Sequence, residues 1–191
     1  MKKLALDFDG VLCMSYPWLA KHMLDRFDID VGNVETKTSF GYENGDQLKE
    51  ACDVGTETAR AILNYQQYML PVRDAITFAH NYASLFDNPV PITIISARHQ
   101  STINVTEKWW EKWFRGLPFS LYLVENHLEK RRVCEDLGVT HFIDDRYKTV
   151  CDLAKTLDTV FCLDWPYNRR PLPQNAIRVN KLNDMIPYLT A

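Results

Sequence analysis

The sequence lacks a CxxC pair, a long basic block and any apolar run long enough to cross a bilayer. Its five cysteines are an odd and scattered set, which matches neither a disulfide framework nor the usual spacing of a zinc site. Acidic residues occur as early as Asp7 and Asp9, which excludes a signal-peptide core at the N-terminus. We therefore expect a cytoplasmic protein with reduced thiols and no membrane association.

The sequence also lacks a large excess of charge of either sign. It has 22 Lys and Arg residues and 25 Asp and Glu residues, for a net charge of −3. The only small basic cluster is Lys130-Arg131-Arg132, so nucleic-acid binding through bulk electrostatics has little support. The 191 residues, 46% of them hydrophobic, suffice for one main domain with a sizeable core and an insertion.

Five short apolar runs each end abruptly at a polar residue. They cover residues 4–6, 92–95, 121–124, 141–143 and 159–163 and end at Asp7, Ser96, Glu125, Asp144 and Asp164. Continuous apolar runs are typical of parallel strands that are covered on both faces. Helical patterns lie between them, over about 74–86, 104–115, 129–137 and 146–157. The sequence thus predicts an α/β fold, a doubly wound, Rossmann-like parallel sheet of about five strands, with ligands at the carboxyl ends.

The interval between the first two runs departs from this alternation. Residues 14–70 contain no convincing strand, and 17–27 and 46–69 have helical patterns. We expect a small helical insertion at 14–70 and a core domain formed by 1–13 and 71–191. Most of the seven aromatic residues in 14–70 suit the insertion's own core, while Tyr16 with Trp18, or Phe40 with Tyr42, could stack on a base.

The segment LALDFDGVL, residues 4–12, carries the first candidate chemistry. A carboxylate at the end of a buried strand can attack phosphorus and form an acyl-phosphate. A second carboxylate two positions later can protonate the leaving oxygen and then deprotonate water. Gly10 allows the backbone to approach a ligand closely. Taken alone, however, the segment fits equally well a strand-ending turn whose two acids are solvated.

Three further candidates occur at the ends of later runs. Ser96 offers a hydroxyl, and Lys130 opens a helix where its charge could neutralise a phosphate. Asp144 and Asp145 are adjacent acids that repel each other unless a cation lies between them. Oxygen ligands with no His or Cys beside them favour Mg²⁺ over zinc.

These four motifs, in this order, resemble those of the haloacid dehalogenase superfamily of phosphohydrolases. The resemblance covers residues 3 to about 163 and implies that Asp7 is the nucleophile and a metal ligand. It implies that Asp9 is the acid/base, lending its backbone carbonyl to the metal, with an aspartate here favouring phosphate-ester hydrolysis over dehalogenation. Phosphate binding then involves Gly10, Ser96, Ala97 and Lys130, and the metal ligands are Asp7, Asp9, Asp144 and Asp145. Whether Lys130 or Arg131 binds the phosphate stays open.

The insertion's size, the short fourth motif and Asp164–Arg169 (DWPYNR) are similar to the 5'(3')-deoxyribonucleotidase branch of that superfamily. The resemblance implies a small-molecule phosphate ester, a nucleoside monophosphate, as substrate. Sugar phosphates and 3'-phosphorylated polynucleotide ends are alternatives, since the stretch from Ser96 with its Trp-rich helix is also similar to polynucleotide phosphatases. A non-catalytic binding protein is a third hypothesis. The sequence leaves the oligomeric state open.

Overall fold

A parallel sheet lies at the centre of the computed structural model, which describes residues 2–36, 44–88 and 90–190. Six strands form it within those ranges: β1 (Leu4–Leu6), β2 (Ile92–Ser96), β3 (Phe119–Leu123), β4 (His141–Asp144), β5 (Thr159–Leu163) and β6 (Ala176–Val179). Their order is β3-β2-β1-β4-β5-β6, and every neighbouring pair is parallel. The direction of strand addition reverses between β1 and β4, which in open α/β sheets marks the ligand-binding crevice.

The doubly wound parallel sheet predicted from the apolar runs is confirmed. The central strands β1, β2 and β4 are buried along their whole length, as expected for strands covered on both faces. The predicted count of about five strands misses β6, an edge strand of sequence AIRV. Its length and its charged Arg178 give no continuous apolar run, so the sequence pattern does not reveal it.

Eight α-helices occur in the described ranges: α1 (Tyr16–Phe27), α2 (Gly45–Ala51), α3 (Val54–Tyr65), α4 (Ala75–Ala83), α5 (Ile103–Trp113), α6 (Glu129–Leu137), α7 (Tyr147–Leu153) and α8 (Ile186–Thr190). Helix α6 has its predicted bounds, and Gly138 ends it in the left-handed conformation at φ 64°. The helical pattern over 46–69 is confirmed, but it forms two helices, α2 and α3, rather than one continuous stretch. Cys52 is extended, and Asp53 starts α3 by accepting hydrogen bonds from the amides of Gly55 and Thr56.

Helices α1, α2 and α3 lie between β1 and β2 in the chain. A small apolar cluster within this segment comprises Met23, Ile29, Val31 and Leu48. The backbone that leads into this segment, at residues 12–14, runs beside the backbone that leads out of it, at residues 70–72. The amide of Met14 donates to the carbonyl of Leu70 at 2.9 Å, and the amide of Val72 donates to Leu12 at 2.9 Å.

Aromatic residues of α5 anchor that helix to the core. The ring of Trp109 meets Phe8 edge-on at 4.9 Å, and Trp110 stacks on Phe114 at 4.2 Å. Trp109 is buried and its indole N–H donates to the carbonyl of Met69 at 2.8 Å. Trp109 is therefore part of the core. Among the described residues, no helix combines the length and apolar character needed to cross a membrane.

Candidate active site

The turn after β1 places Asp7 at the carboxyl edge of the sheet, next to β4. The amide of Asp7 continues the ladder by donating to the carbonyl of Ile143 at 3.0 Å. Gly10 turns the chain with φ 74°, and a Cβ at this position would lie only 2.7 Å from Cγ of Asp145. The turn therefore needs a glycine for two reasons, its positive φ and its close contact with the acid that follows β4.

Three buried carboxylates meet at this edge. Oxygen atoms of Asp7, Asp144 and Asp145 all lie within 4.8 Å of one another. Burial, with a contribution from Asp144, raises the pKa of Asp7 to about 6, against the opposing effect of Lys130. Burial and the same neighbouring charge also raise the pKa of Asp145. A donor set made only of carboxylate oxygens, held close enough to repel, fits a hard divalent cation such as Mg²⁺.

Lys130 reaches into this cluster from the first turn of α6. Its Nζ lies 2.9 Å from Oδ1 of Asp7 and 2.7 Å from Oδ2 of Asp144, and the residue is 2% exposed. Burial lowers the pKa of Lys130, but the two carboxylates outweigh it and the net pKa is raised, so the side chain is charged. The neighbouring Arg131 instead pairs with Asp152 at 3.0 Å. The geometry thus places Lys130, rather than Arg131, at the acidic cluster.

The carboxylate of Asp9 is directed to a different partner. Nε and Nη2 of Arg98 donate to its two oxygens at 2.7 and 2.6 Å. Burial raises the pKa of Asp9, but the charge and hydrogen bonds of Arg98 outweigh it and the net pKa is lowered. No motif in the sequence indicates a role for Arg98. The only sequence feature that could have indicated one is the position of Arg98 two residues after Ser96, at the end of a strand. Its partner Asp9 is 89 residues away in the chain.

A cavity of about 260 Å³ opens above these groups. Ser96 and Ala97 line it beside Asp7 and Lys130, so the structure brings the four predicted motifs to one cavity. Its outer wall includes Met14, Tyr16, Leu19, Val34, His127, Arg146 and Trp165. The wall thus combines apolar and aromatic surface with the guanidinium of Arg146 and the imidazole of His127.

The segment Trp165–Asn168 holds two of the motifs in place. The indole N–H of Trp165 donates to the carbonyl of Gly10 at 2.9 Å, and the hydroxyl of Tyr167 donates to Oδ2 of Asp145. Nδ2 of Asn168 donates to the backbone carbonyl of Asp145 at 2.7 Å. Residue patterns alone do not reveal these contacts, since the segment also reads as a proline-containing surface loop.

The segment 14–70, the predicted insertion, contributes to the cavity one of the aromatic residues considered for base stacking. Tyr16 lines the cavity. Trp18 instead stacks on Tyr65 and Tyr68, with ring centroids 5.4 and 5.5 Å apart. Phe40 and Tyr42 lie outside the described residues.

The chain is similar in sequence to two curated proteins and in fold to solved structures. No family model matches the chain. A nucleotidase from Clostridium acetobutylicum is 25% identical over 186 residues, which span 92% of this chain and 86% of that protein. A Halalkalibacterium halodurans protein assigned as a nucleotidase is 32% identical over 88 residues, 45% of this chain and 44% of that protein.

Among solved structures, a HAD hydrolase of family IA from Entamoeba histolytica matches all of this chain and 98% of its own, with a TM-score of 0.65 and 13% identity. The chain therefore has the fold of the haloacid dehalogenase superfamily, and the resemblance drawn from the four motifs is confirmed at that level.

Proposed function

We propose that this protein is a Mg²⁺-dependent phosphomonoester hydrolase that acts through an aspartyl-phosphate on Asp7. The observation that carries the proposal is the position of Asp7: at the switch point of the sheet, on the floor of a cavity, between two further acids and Lys130. A carboxylate in that setting is a nucleophile for phosphorus, and the lysine and glycine-containing turn offer positive groups to phosphate oxygens.

In the first step, an oxygen of Asp7 forms a bond to phosphorus while the bond to the leaving oxygen breaks. Lys130, Ser96 and the backbone at Ala97 hold the phosphate oxygens, and Gly10, whose amide donates to the carbonyl of Cys13 at 2.9 Å, lets the turn approach them closely. Asp9 supplies the proton that the leaving oxygen needs. Because Arg98 lowers the pKa of Asp9, this carboxylate takes up that proton once the negative charge of the bound phosphate lies beside it. In the second step, water attacks phosphorus, Asp9 takes a proton from it, and phosphate leaves with the Asp7 carboxylate restored.

Asp7, Asp144, Asp145 and the backbone carbonyl of Asp9 would hold the metal ion. When bound, Mg²⁺ supplies positive charge that lowers the repulsion between carboxylates and phosphate. The all-oxygen, closely spaced cluster of three buried acids supports this assignment.

Nucleoside monophosphates, including deoxyribonucleoside monophosphates, are the substrates we favour. The cavity wall offers Tyr16 and Trp165 to a planar apolar group, and both sequence relatives carry the name nucleotidase. We infer that residues 14–70 form a cap that covers this part of the cavity, because they have a small core of their own and rejoin the core domain beside Met14. Sugar phosphates and 3'-phosphorylated polynucleotide ends are the alternative substrates.

A substrate panel tests the proposal. Purified protein is assayed for phosphate release from nucleoside 5'- and 3'-monophosphates, sugar phosphates, a 3'-phosphorylated oligonucleotide and p-nitrophenyl phosphate, each with Mg²⁺ and with excess chelator. We expect Mg²⁺-dependent release that is fastest with a nucleoside monophosphate, and none from the Asp7→Asn variant. Release from no ester in the presence of Mg²⁺ would overturn the enzymatic assignment and leave a binding protein.

We place the protein in the cytoplasm. All five cysteines are unpaired, and three of them, Cys13, Cys134 and Cys162, are buried, which suits a reducing compartment.

A further inference from the structure

Arg98 has more polar partners than a simple ion pair needs. Besides its fork onto Asp9, Nη1 donates to Oε1 of Gln66 at 2.7 Å and to Oγ1 of Thr106 at 2.8 Å. The guanidinium also lies over the ring of Phe8, 4.2 Å from its centroid. The side chain is 1% exposed, so contacts on its edge and on one face fix it. A buried arginine held in this way has one orientation available to it.

These partners come from three separate parts of the chain. Asp9 and Phe8 belong to the turn after β1, Thr106 belongs to α5, and Gln66 follows α3 at the end of the insertion. Gln66 is itself buried, and its Nε2 reaches Sγ of Cys13 at 3.5 Å. The hydrogen bonds therefore form a continuous connection from the insertion through Arg98 to the carboxylate of Asp9.

Asp9 is still open to the cavity on its remaining side. Its side chain is 31% exposed and lines the cavity, although Arg98 occupies one side of each oxygen and the hydroxyl of Ser15 supplies one further hydrogen bond. A carboxylate oxygen has a second lone pair, so the fork fixes the plane of the group and leaves its outer edge available. An arginine fork does this, and the single ammonium of a lysine cannot.

We propose that Arg98 is a positioning residue for Asp9: it fixes the direction in which that carboxylate faces the leaving oxygen, and Gln66 couples this direction to the insertion. The proposal rests on the proposed function of the site. It predicts that loss of the fork impairs proton transfer with Asp9 and leaves the metal and phosphate contacts of Asp7 and Lys130 unchanged.

The test compares leaving groups. Arg98→Lys keeps a positive charge beside Asp9, so the carboxylate is not left unpaired, but the fork is lost. Single-turnover rates are measured for a nucleoside monophosphate, whose alkoxide needs a proton, and for p-nitrophenyl phosphate, whose nitrophenolate does not. Gln66→Met is measured alongside it, because it removes one acceptor at Nη1 while Thr106 remains. Arg131→Lys is the matched control, since its pair with Asp152 lies outside the cavity lining.

For Arg98→Lys we expect phosphorylation by the nucleotide to slow by about 100-fold, the loss typical of a misplaced catalytic group. Phosphorylation by p-nitrophenyl phosphate should change by less than about threefold, because its first step needs no proton from Asp9. KM and the Mg²⁺ affinity should stay near those of the wild type. Gln66→Met should show a smaller effect with the same selectivity, and Arg131→Lys should match the wild type. Equal losses for both esters would mean that Arg98 acts only through stability and would overturn the proposal.

A crystal structure of each variant shows the orientation of the Asp9 side chain and does not depend on enzymatic activity. We expect a single Asp9 orientation in the wild type and in Arg131→Lys, and a changed or divided orientation in Arg98→Lys. An unchanged Asp9 in Arg98→Lys would overturn the positioning role. Failure of the wild type to hydrolyse any ester would overturn the proposed function instead, so the two failures are distinguishable.

Discussion

Asp7 is surrounded by more negative than positive charge. Lys130 contacts Asp7 and Asp144, while the third acid, Asp145, accepts a hydrogen bond from a neutral phenol. One ammonium group therefore offsets only part of the charge of the three carboxylates. The excess charge is the physical reason for assigning a divalent cation to this cluster.

Asp7→Asn removes the attacking carboxylate while keeping its shape. If Asp7 is the nucleophile, turnover should fall by several orders of magnitude, because the amide cannot form the aspartyl-phosphate. The measurement is phosphate release from the preferred ester under saturating Mg²⁺, with circular dichroism as a check on folding. Activity within about tenfold of the wild type would remove Asp7 from this role.

Asp9→Asn should distinguish substrates by their leaving groups. The variant keeps the size of the side chain but has no proton to give, so phosphorylation by a nucleotide should slow much more than phosphorylation by p-nitrophenyl phosphate. With the activated ester, phosphorylated Asp7 should accumulate, because the second step still lacks its base. Quench-flow measurement of the burst checks this. Equal slowing of phosphorylation for both esters would argue that Asp9 acts through the turn or the metal instead.

At the scale of structural elements, the segment Trp165–Asn168 connects the turn after β1 to the end of β4. It contacts the carbonyl of Gly10 and both the side chain and the backbone of Asp145. Arg178 of β6 supports the segment from below, since its Nη1 donates to Oδ1 of Asn168 at 2.6 Å. The edge strand thereby stabilises a site that lies two strands away.

Tyr167→Phe removes the hydroxyl that orients Asp145 while leaving the ring in place. We expect Mg²⁺ binding to weaken by about 10-fold, the usual loss when a partner behind a metal ligand is removed. Isothermal titration calorimetry with Mg²⁺ alone measures this. The matched control is Tyr147→Phe, whose hydroxyl donates to the carbonyl of Pro171 on an exposed part of the surface. Equal affinities in the two variants would contradict the orienting role.

The strands and site residues that could be predicted are those marked by a local sequence pattern, such as an apolar run that ends at a polar residue. Asp7, Ser96 and Asp144 each end an apolar run, so their common edge of the sheet follows from the parallel arrangement. The partner of Asp9 could not be found in this way, because Arg98 is 89 residues distant and its pairing depends on how α5 and the insertion pack. The same holds for Tyr167, whose contact with Asp145 depends on a turn that has no periodic pattern.

At the scale of the whole molecule, the acidic cluster makes stability depend on pH and metal. The folded-state pKa of Asp7, about 6, is above its ordinary value of 3.8, so the folded state binds this proton more tightly than the unfolded state. The contribution of Asp7 to the free energy of unfolding is therefore highest below that ordinary value and is lost as pH rises through the window to about 6.

In chelator, the wild type should lose stability relative to Asp7→Asn as pH rises from 4 to 7, by on the order of 2 kcal/mol. The comparison with Asp7→Asn removes the effect of groups whose pKa is lowered, such as Asp9, because they are present in both proteins. What remains is the effect of Asp7 together with that of Asp145, whose pKa the charge of Asp7 helps to raise. Urea unfolding at several pH values gives the difference. At pH 7, adding Mg²⁺ should raise the stability of the wild type by linkage. A difference that does not vary with pH would contradict the prediction.

The pairing of β1 with β4 has a consequence for how the protein is made. The amide of Thr140 donates to the carbonyl of Lys3 at 2.9 Å and closes a loop of more than a hundred residues. Strand β1 lies between two strands that follow it in the chain. During synthesis from the N-terminus, Asp7 emerges well before Lys130, Asp144 and the segment Trp165–Asn168 that contacts Asp145. Long-range closure of this kind is slow. The acidic cluster is thus assembled late in biogenesis. A ribosome-bound chain that stops before β4 exposes one edge of the apolar strand β1, which makes it a natural target for chaperones.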